Sequence, residues 1–326
     1  MGKSRISYID SAKGLCMLLV VMIHTGVPEP LPGIYAVKVA LFFLLSGYFY
    51  SDEMPFAAFL KKKARTLLLP FVVFYGLSYL GFYVLMALWP SFSSYTDAQG
   101  IADCFTQKQY FNGPLWFLLS LFEVQLFVFA IRRLFKKCVW ASWFGYIVLY
   151  AVGYSLSLLN LDLPLNIDSA MVCTIFFAFG MELKRWNLFG RFSRWGSLIV
   201  ALILYGIFIL HPVACWMSVN RYQCNNGLEL FVMLSILCMA VILACKAITP
   251  PRNFGFLQFV GRHTLYILCM HHLVYRPIKL VCSFCPISSE IIINCLVFVL
   301  TMTFCLVTAP WFELNFPWAL GLKRKK

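Results

Sequence analysis

The chain has 326 residues, 61% hydrophobic and 12% charged, with a mean hydropathy of +0.80 and a formal net charge of +14. A soluble domain carries roughly 25% charged residues, so a water-soluble globule is excluded and the lipid bilayer must be the solvent for most of the surface. Long unbroken apolar runs also exclude a barrel of short alternating strands, leaving an all-α, polytopic membrane protein.

Ten apolar spans are predicted, near residues 12–27, 34–51, 66–90, 114–131, 139–160, 169–185, 196–212, 227–248, 257–280 and 288–309. Prolines and Asn/Asp/Ser clusters fall mostly between them, as loop punctuation does. The first span follows Lys3 and Arg5 as a signal peptide would, but no A-x-A-like cleavage site follows, and Lys13 and His24 would spoil an apolar h-region. It reads as a retained helix. Lys13 and His24 stand eleven positions apart. At 100° per residue that spacing returns to within about 20° of the start, so both share one helix face, about 16 Å apart along the axis. A cation near one membrane surface and an imidazole deep inside look like two ends of a polar path, although a lone His on an apolar face is commonly a buried structural group.

In the second span, Ser46-Gly47 interrupts LFFLLSGYFY and reads as architecture, permitting close helix approach or a kink. KKKARTLLLPF opens the third, where Lys62 and Arg65, three apart, share a face. Such a pair suits phosphate groups, and positive-inside anchoring accounts for it equally well. Glu123 falls within the fourth span, with Gln125 close by. A carboxylate at membrane depth costs about 2.5–3.5 kcal/mol on insertion scales, so it should face the bundle interior and have a partner, whether as interhelical glue or as a functional group. His271 and His272 lie mid-way along the ninth span. His211 and His263 sit at span ends and receive no role.

With the N-terminus assigned to the cytoplasm, 22 of the 27 basic residues fall inside, leaving Lys38, Lys108, Arg221, Arg276 and Lys279 outside. Both termini are then cytoplasmic, and the charge follows the positive-inside pattern rather than marking a nucleic-acid partner. The thirteen cysteines are scattered through apolar helices and behave there as small hydrophobes. Cys215/Cys224 and the Cys282/Cys285 CxxC flank or occupy proposed outside loops, and either could pair in an oxidising compartment. No HExxH, Walker, dinucleotide-glycine or GxSxG motif is present, and no metal is expected.

Five elements in order carry a resemblance that covers almost the whole chain: YIDSAKGLCMLLVVMIH, ALFFLLSGYF, KKKARTLLLPF, NGPLWFLLSLF and FVGRHTLYILCMHHLV. Together they resemble the integral-membrane acyltransferase-3 family, in the branch related to sugar O-acetyltransferases. The first element is similar to that family's Asp-x-x-(Arg/Lys)-Gly, apolar run and His, matching Asp10, Lys13 and His24. The last is similar to its late Gly-x-x-(Ser/Thr) helix ending in His, matching His271. Lys13 stands where many members carry Arg, Thr264 replaces the commoner Ser, and His272 is an additional imidazole. No appended esterase-like domain is expected, and residues 1–326 are expected to form one integral-membrane domain.

The resemblance implies transfer of an acyl group, usually acetyl from acetyl-CoA, to a hydroxyl of a surface glycan or its precursor, in a multi-pass protein of the bacterial cytoplasmic membrane. His24 is then the expected general base, with a transient acyl-His as a variant. Lys13, Lys62 and Arg65 are expected to meet cofactor phosphate, Lys13 alternatively pairing with Asp10. Glu123, Trp116 and His271 are expected to line the acceptor pocket or orient His24. A ten-span transporter or a glycan-export partner is the competing reading; it requires no catalytic base, though symmetric halves or paired broken helices, which a transporter should show, are not evident.

Overall fold

The computed structural model describes residues 6–90, 100–106, 110–211, 214–218, 222–249, 255–284 and 289–323. Lys3, Arg5, Lys108, Arg221, Arg252, Cys285 and residues 324–326 lie outside the described residues. Every predicted span is helical: α1 (Ser7–Thr25), α2 (Val37–Tyr48), α3 and α4 (Phe56–Lys63, Leu69–Leu88), α6 (Trp116–Leu134), α7 (Val139–Leu158), α8 (Ile167–Arg185), α9 (Arg194–Ile209), α10 (Gly227–Ile248), α11 and α12 (Phe256–Arg262, Thr264–Cys282) and α13 (Glu290–Asn315). A one-turn α5 (Asp103–Thr106) lies between α4 and α6. Among the described residues, seven helices are long and apolar enough to cross a membrane; Ile34–Tyr48 and α9 are shorter. The architecture is all-α and polytopic.

Two boundaries differ from those read off the sequence. The third segment begins ten residues early, at Phe56, and runs through a π-helical turn at Ala64–Leu68. Pro70, at the start of α4, has no N–H to give to the carbonyl four residues back, and the wider turn absorbs that loss. The ninth segment breaks at His263, separating α11 from α12.

α1 occupies the centre, packed by α11, α10, α2, α12 and α13. Close contact there depends on glycine. A Cβ on Gly14 would lie 2.0 Å from the Leu257 carbonyl oxygen, and one on Gly261 would lie 1.8 Å from that of Asp10. α2 and α8 meet the same way: a Cβ on Gly47 would be 1.9 Å from the Phe177 oxygen, and one on Gly180 would be 1.9 Å from that of Leu44. Lipid tails are as apolar as the helices themselves, so backbone approach of this kind, rather than hydrophobicity, drives the pairing. The expectation that Ser46-Gly47 is architectural matches this contact.

At the end of the bundle where α1 finishes, Trp216–Met217 and Tyr222–Gln223 pair as an antiparallel hairpin, Trp216 opposite Gln223. The Cys215–Cys224 disulfide closes it one residue further out.

Candidate active site

His24 sits in the last turn of α1, which ends at Gly26 with φ +81°. Left-handed backbone of this sort is readily adopted by glycine. Asn294 on α13 donates to the Gly26 carbonyl at 3.0 Å, so the end of α1 that carries His24 is tied down. A second tether fixes the opposite wall. Asn112, just before the Gly113–Leu115 turn, donates through Nδ2 to the Cys269 carbonyl at 2.8 Å and to Ser78 Oγ at 3.1 Å. NGPLW thereby pins the start of α6 against α12 beside His271 and His272.

Three imidazoles meet between these tethers. His24 Nδ1 lies 3.3 Å from His272 Nε2, with the rings edge to face at 4.7 Å between centroids. His271 is 5.4 Å from His24 centroid to centroid. His271 Nδ1 donates to the Ile267 carbonyl at 2.8 Å, which fixes Nδ1–H in its neutral form and leaves Nε2 as acceptor. His271, expected from the sequence to line the acceptor pocket or orient His24, lies in the same cluster, but the imidazole in direct contact with His24 is His272. The signal for it was present as the second His of CMHH; its meaning depended on which face of α12 meets α1.

Cavities run through the bundle on both sides of this cluster. One of about 850 Å³ opens at the hairpin end, with His24, Glu29, Tyr35, Lys38, His211 and Trp216 in its wall. A smaller one of about 60 Å³ is lined by His24, Lys38, Trp116, Phe42, Phe117 and Leu268. The last three also wall a third cavity of about 200 Å³, which carries Lys13, Ser46, Thr66 and Thr264 towards the opposite end. The Lys13–His24 stripe thus spans a chain of abutting cavities, and Trp116 belongs to its middle.

The remaining expected site residues are dispersed. Asp10 is in the first turn of α1. Lys13 Nζ stands over the Phe49 ring at 4.7 Å. Lys62 is exposed, whereas the Arg65 guanidinium donates to the Leu322 carbonyl at 2.9 Å and tethers the C-terminal segment. Glu123 is buried on α6, one of its carboxylate oxygens lacking a hydrogen-bond partner among the described residues, and it lies within electrostatic reach of Asp168 on α8. It lines none of the three cavities. His211 pairs with Glu229 and His263 with Glu313.

The three imidazoles have ligand atoms within 4.8 Å of one another, a spacing a metal ion could bridge. Lys38, however, shares both His24-lined cavities, and a cationic side chain beside the cluster disfavours a divalent ion there. The arrangement suits proton transfer better: a tethered imidazole, a second imidazole against its Nδ1, and cavities reaching it from both directions.

A family model described as "Acyltransferase domain", of the acyltransferase-3 type, matches residues 6–309. No curated protein and no solved structure matches the chain. The chain belongs to this acyltransferase family, and is a multi-pass membrane acyltransferase.

Proposed function

We propose that this acyltransferase moves an acetyl group from acetyl-CoA to a hydroxyl of a surface glycan or glycan precursor, with His24 as general base, in a bacterial cytoplasmic membrane with both termini inside. The observation that carries this reading is the position of His24 between two sets of cavities. The wall bearing Lys13 offers an approach for a narrow acyl-carrying arm from the cytoplasmic end, and the 850 Å³ space offers room for a sugar at the other.

His272 sharpens the role of His24. A hydrogen bond from His24 Nδ1–H to His272 Nε2 leaves His24 Nε2 with a free lone pair for the acceptor hydroxyl proton. His24 takes that proton as the hydroxyl oxygen attacks the thioester carbon, then returns one to the departing thiolate. Trp116 supplies an aromatic wall and an indole N–H beside the reacting groups. Lys13, the exposed Lys62 and Arg65 are the cations for the nucleotide phosphates; Arg65 gives one of its five N–H donors to the Leu322 carbonyl and keeps the rest.

His24→Ala tests this reading. Protein that inserts and purifies as wild type should lose transfer from acetyl-CoA by roughly 10²-fold or more. Mass spectrometry of surface glycans should then lack the acetyl increment seen with the wild-type gene. Unchanged glycan acetylation by His24→Ala would exclude His24 as the base.

A further inference from the structure

We propose that Lys38 is a catalytic residue of this site, its ammonium group holding the negative charge that develops on the acyl carbonyl oxygen. The inference rests on the acyl-transfer reading above. Lys38 is the second residue of α2, and α2 packs directly on α1. Among the described residues, His24 and Lys38 are the two that line both the 60 Å³ cavity and the 850 Å³ cavity. They form the junction at which a donor arriving from one side and an acceptor arriving from the other must meet.

The chemistry demands a group with the character of Lys38. As the hydroxyl oxygen bonds to the thioester carbon, the carbonyl electron pair moves onto oxygen and the hydroxyl proton goes to His24. Collapse restores the carbonyl, breaks the carbon–sulfur bond and releases a thiolate, which takes the proton from His24. The charge on oxygen is made in a small cavity whose wall is largely apolar, with Val20, Val39, Phe42, Phe117 and Leu268 in it, so few groups are at hand to hold it. Side-chain N–H donors in that wall come from His24, Lys38 and Trp116, and His24 is occupied with the proton. Trp116 has one neutral N–H, whereas a protonated Lys38 brings a positive charge and three donors.

Lys38 is also uncommitted enough to serve. Its ammonium makes one hydrogen bond, to the Tyr35 carbonyl at 3.3 Å, leaving two donors. Glu29, the carboxylate in the same cavity, is held instead by the backbone N–H groups of Gly33 and Tyr35 at 3.0 and 2.6 Å. Among the described residues no carboxylate comes within ion-pair distance of Lys38. A preorganised cation in a largely apolar wall stabilises developing charge more strongly than it would in water. Its location in an apolar segment, where a charge is costly, is the kind of placement that function explains.

Lys38→Met keeps the length of the side chain and removes the charge. Steady-state transfer should show kcat lower by about 10²–10³-fold, with KM for acceptor and for acetyl-CoA within about threefold of wild type. Lys38→Cys alkylated with 2-bromoethylamine, which rebuilds a lysine-like ammonium, should recover at least a tenth of the wild-type kcat, with alkylated wild type as control. Wild-type kcat in Lys38→Met, or a raised acceptor KM at unchanged kcat, would overturn the proposal; the second result would make Lys38 a reader of the acceptor. Failure of both variants to fold, or of alkylation to restore turnover in folded Lys38→Cys, would mark a structural lysine and overturn it too. His24→Ala, assayed alongside, separates the two readings. If His24→Ala is inert and Lys38→Met is fully active, the role of Lys38 fails alone; if both are active, the acyl-transfer site fails with it.

Discussion

At the residue scale the site reduces to His24 and what touches it. His272 meets His24 Nδ1 at 3.3 Å, so its contribution should be to tautomer and ring orientation rather than to substrate contact. His272→Ala should lower kcat by about tenfold, less than His24→Ala, with KM values unchanged. His272→Gln, whose amide can reach the same nitrogen, should restore part of the loss. Equal kcat in wild type and His272→Ala, measured at saturating donor and acceptor, would remove His272 from the mechanism. His271 differs: its Nδ1 is spent on the Ile267 carbonyl, so it can present only Nε2 to its surroundings.

At the element scale, helix contacts are set by glycines and by charges in the loops between helices. Gly47→Leu would drive a side chain into the Phe177 carbonyl, and overpacking of a close contact costs about 1–3 kcal/mol or more. Its purified yield and its melting temperature in detergent should both fall, and a wild-type melting curve would contradict the α2–α8 contact. Asp52, in the loop between α2 and α3, accepts from Arg132 Nε at 2.8 Å and lies 3.8 Å from Lys137. Burial pushes its carboxyl pKa up, but the Arg132 hydrogen bond and the two cations outweigh burial and hold it below the ordinary carboxylate value. A depressed value stabilises the fold above the unfolded-state pKa, near 4, and that stabilisation disappears as pH falls through the lower folded-state value. Wild type should therefore lose melting temperature relative to Asp52→Asn as pH is lowered from 5 to 3; parallel curves across that window would rule the linkage out.

For the whole molecule, seven helices among the described residues are long and apolar enough to cross a membrane, and the positive-inside reading puts Lys13, Lys61–Lys63, Arg132, Arg133, Lys184 and Arg185 towards one side and the disulfide-closed hairpin towards the other. On the proposed function, with His24 between them, acetyl groups would cross without the nucleotide crossing. Labelled acetyl-CoA sealed inside oriented vesicles, cytoplasmic face inward, should acylate an impermeant acceptor outside. Label appearing only on internal acceptor would contradict transmembrane delivery.

The fold class, the ten segments and the Lys13–His24 stripe were legible in the sequence, because lipid solvation forces long apolar runs and helical periodicity fixes which residues share a face. Periodicity within one helix says nothing about which faces of different helices meet. The contact of His272 with His24 depends on the rotation of α12 against α1, and the placement of Lys38 at the cavity junction depends on how closely α2 approaches α1. Arg65 and Lys62 share a face in the sequence, but only the folded chain brings the Leu322 carbonyl, 257 residues away, to the Arg65 guanidinium. Sequence by itself determined the membrane architecture and a histidine that shares one helix face with Lys13. Only tertiary packing decided its neighbours, because side chains hundreds of residues apart become a site only when helices pack at particular rotations and distances.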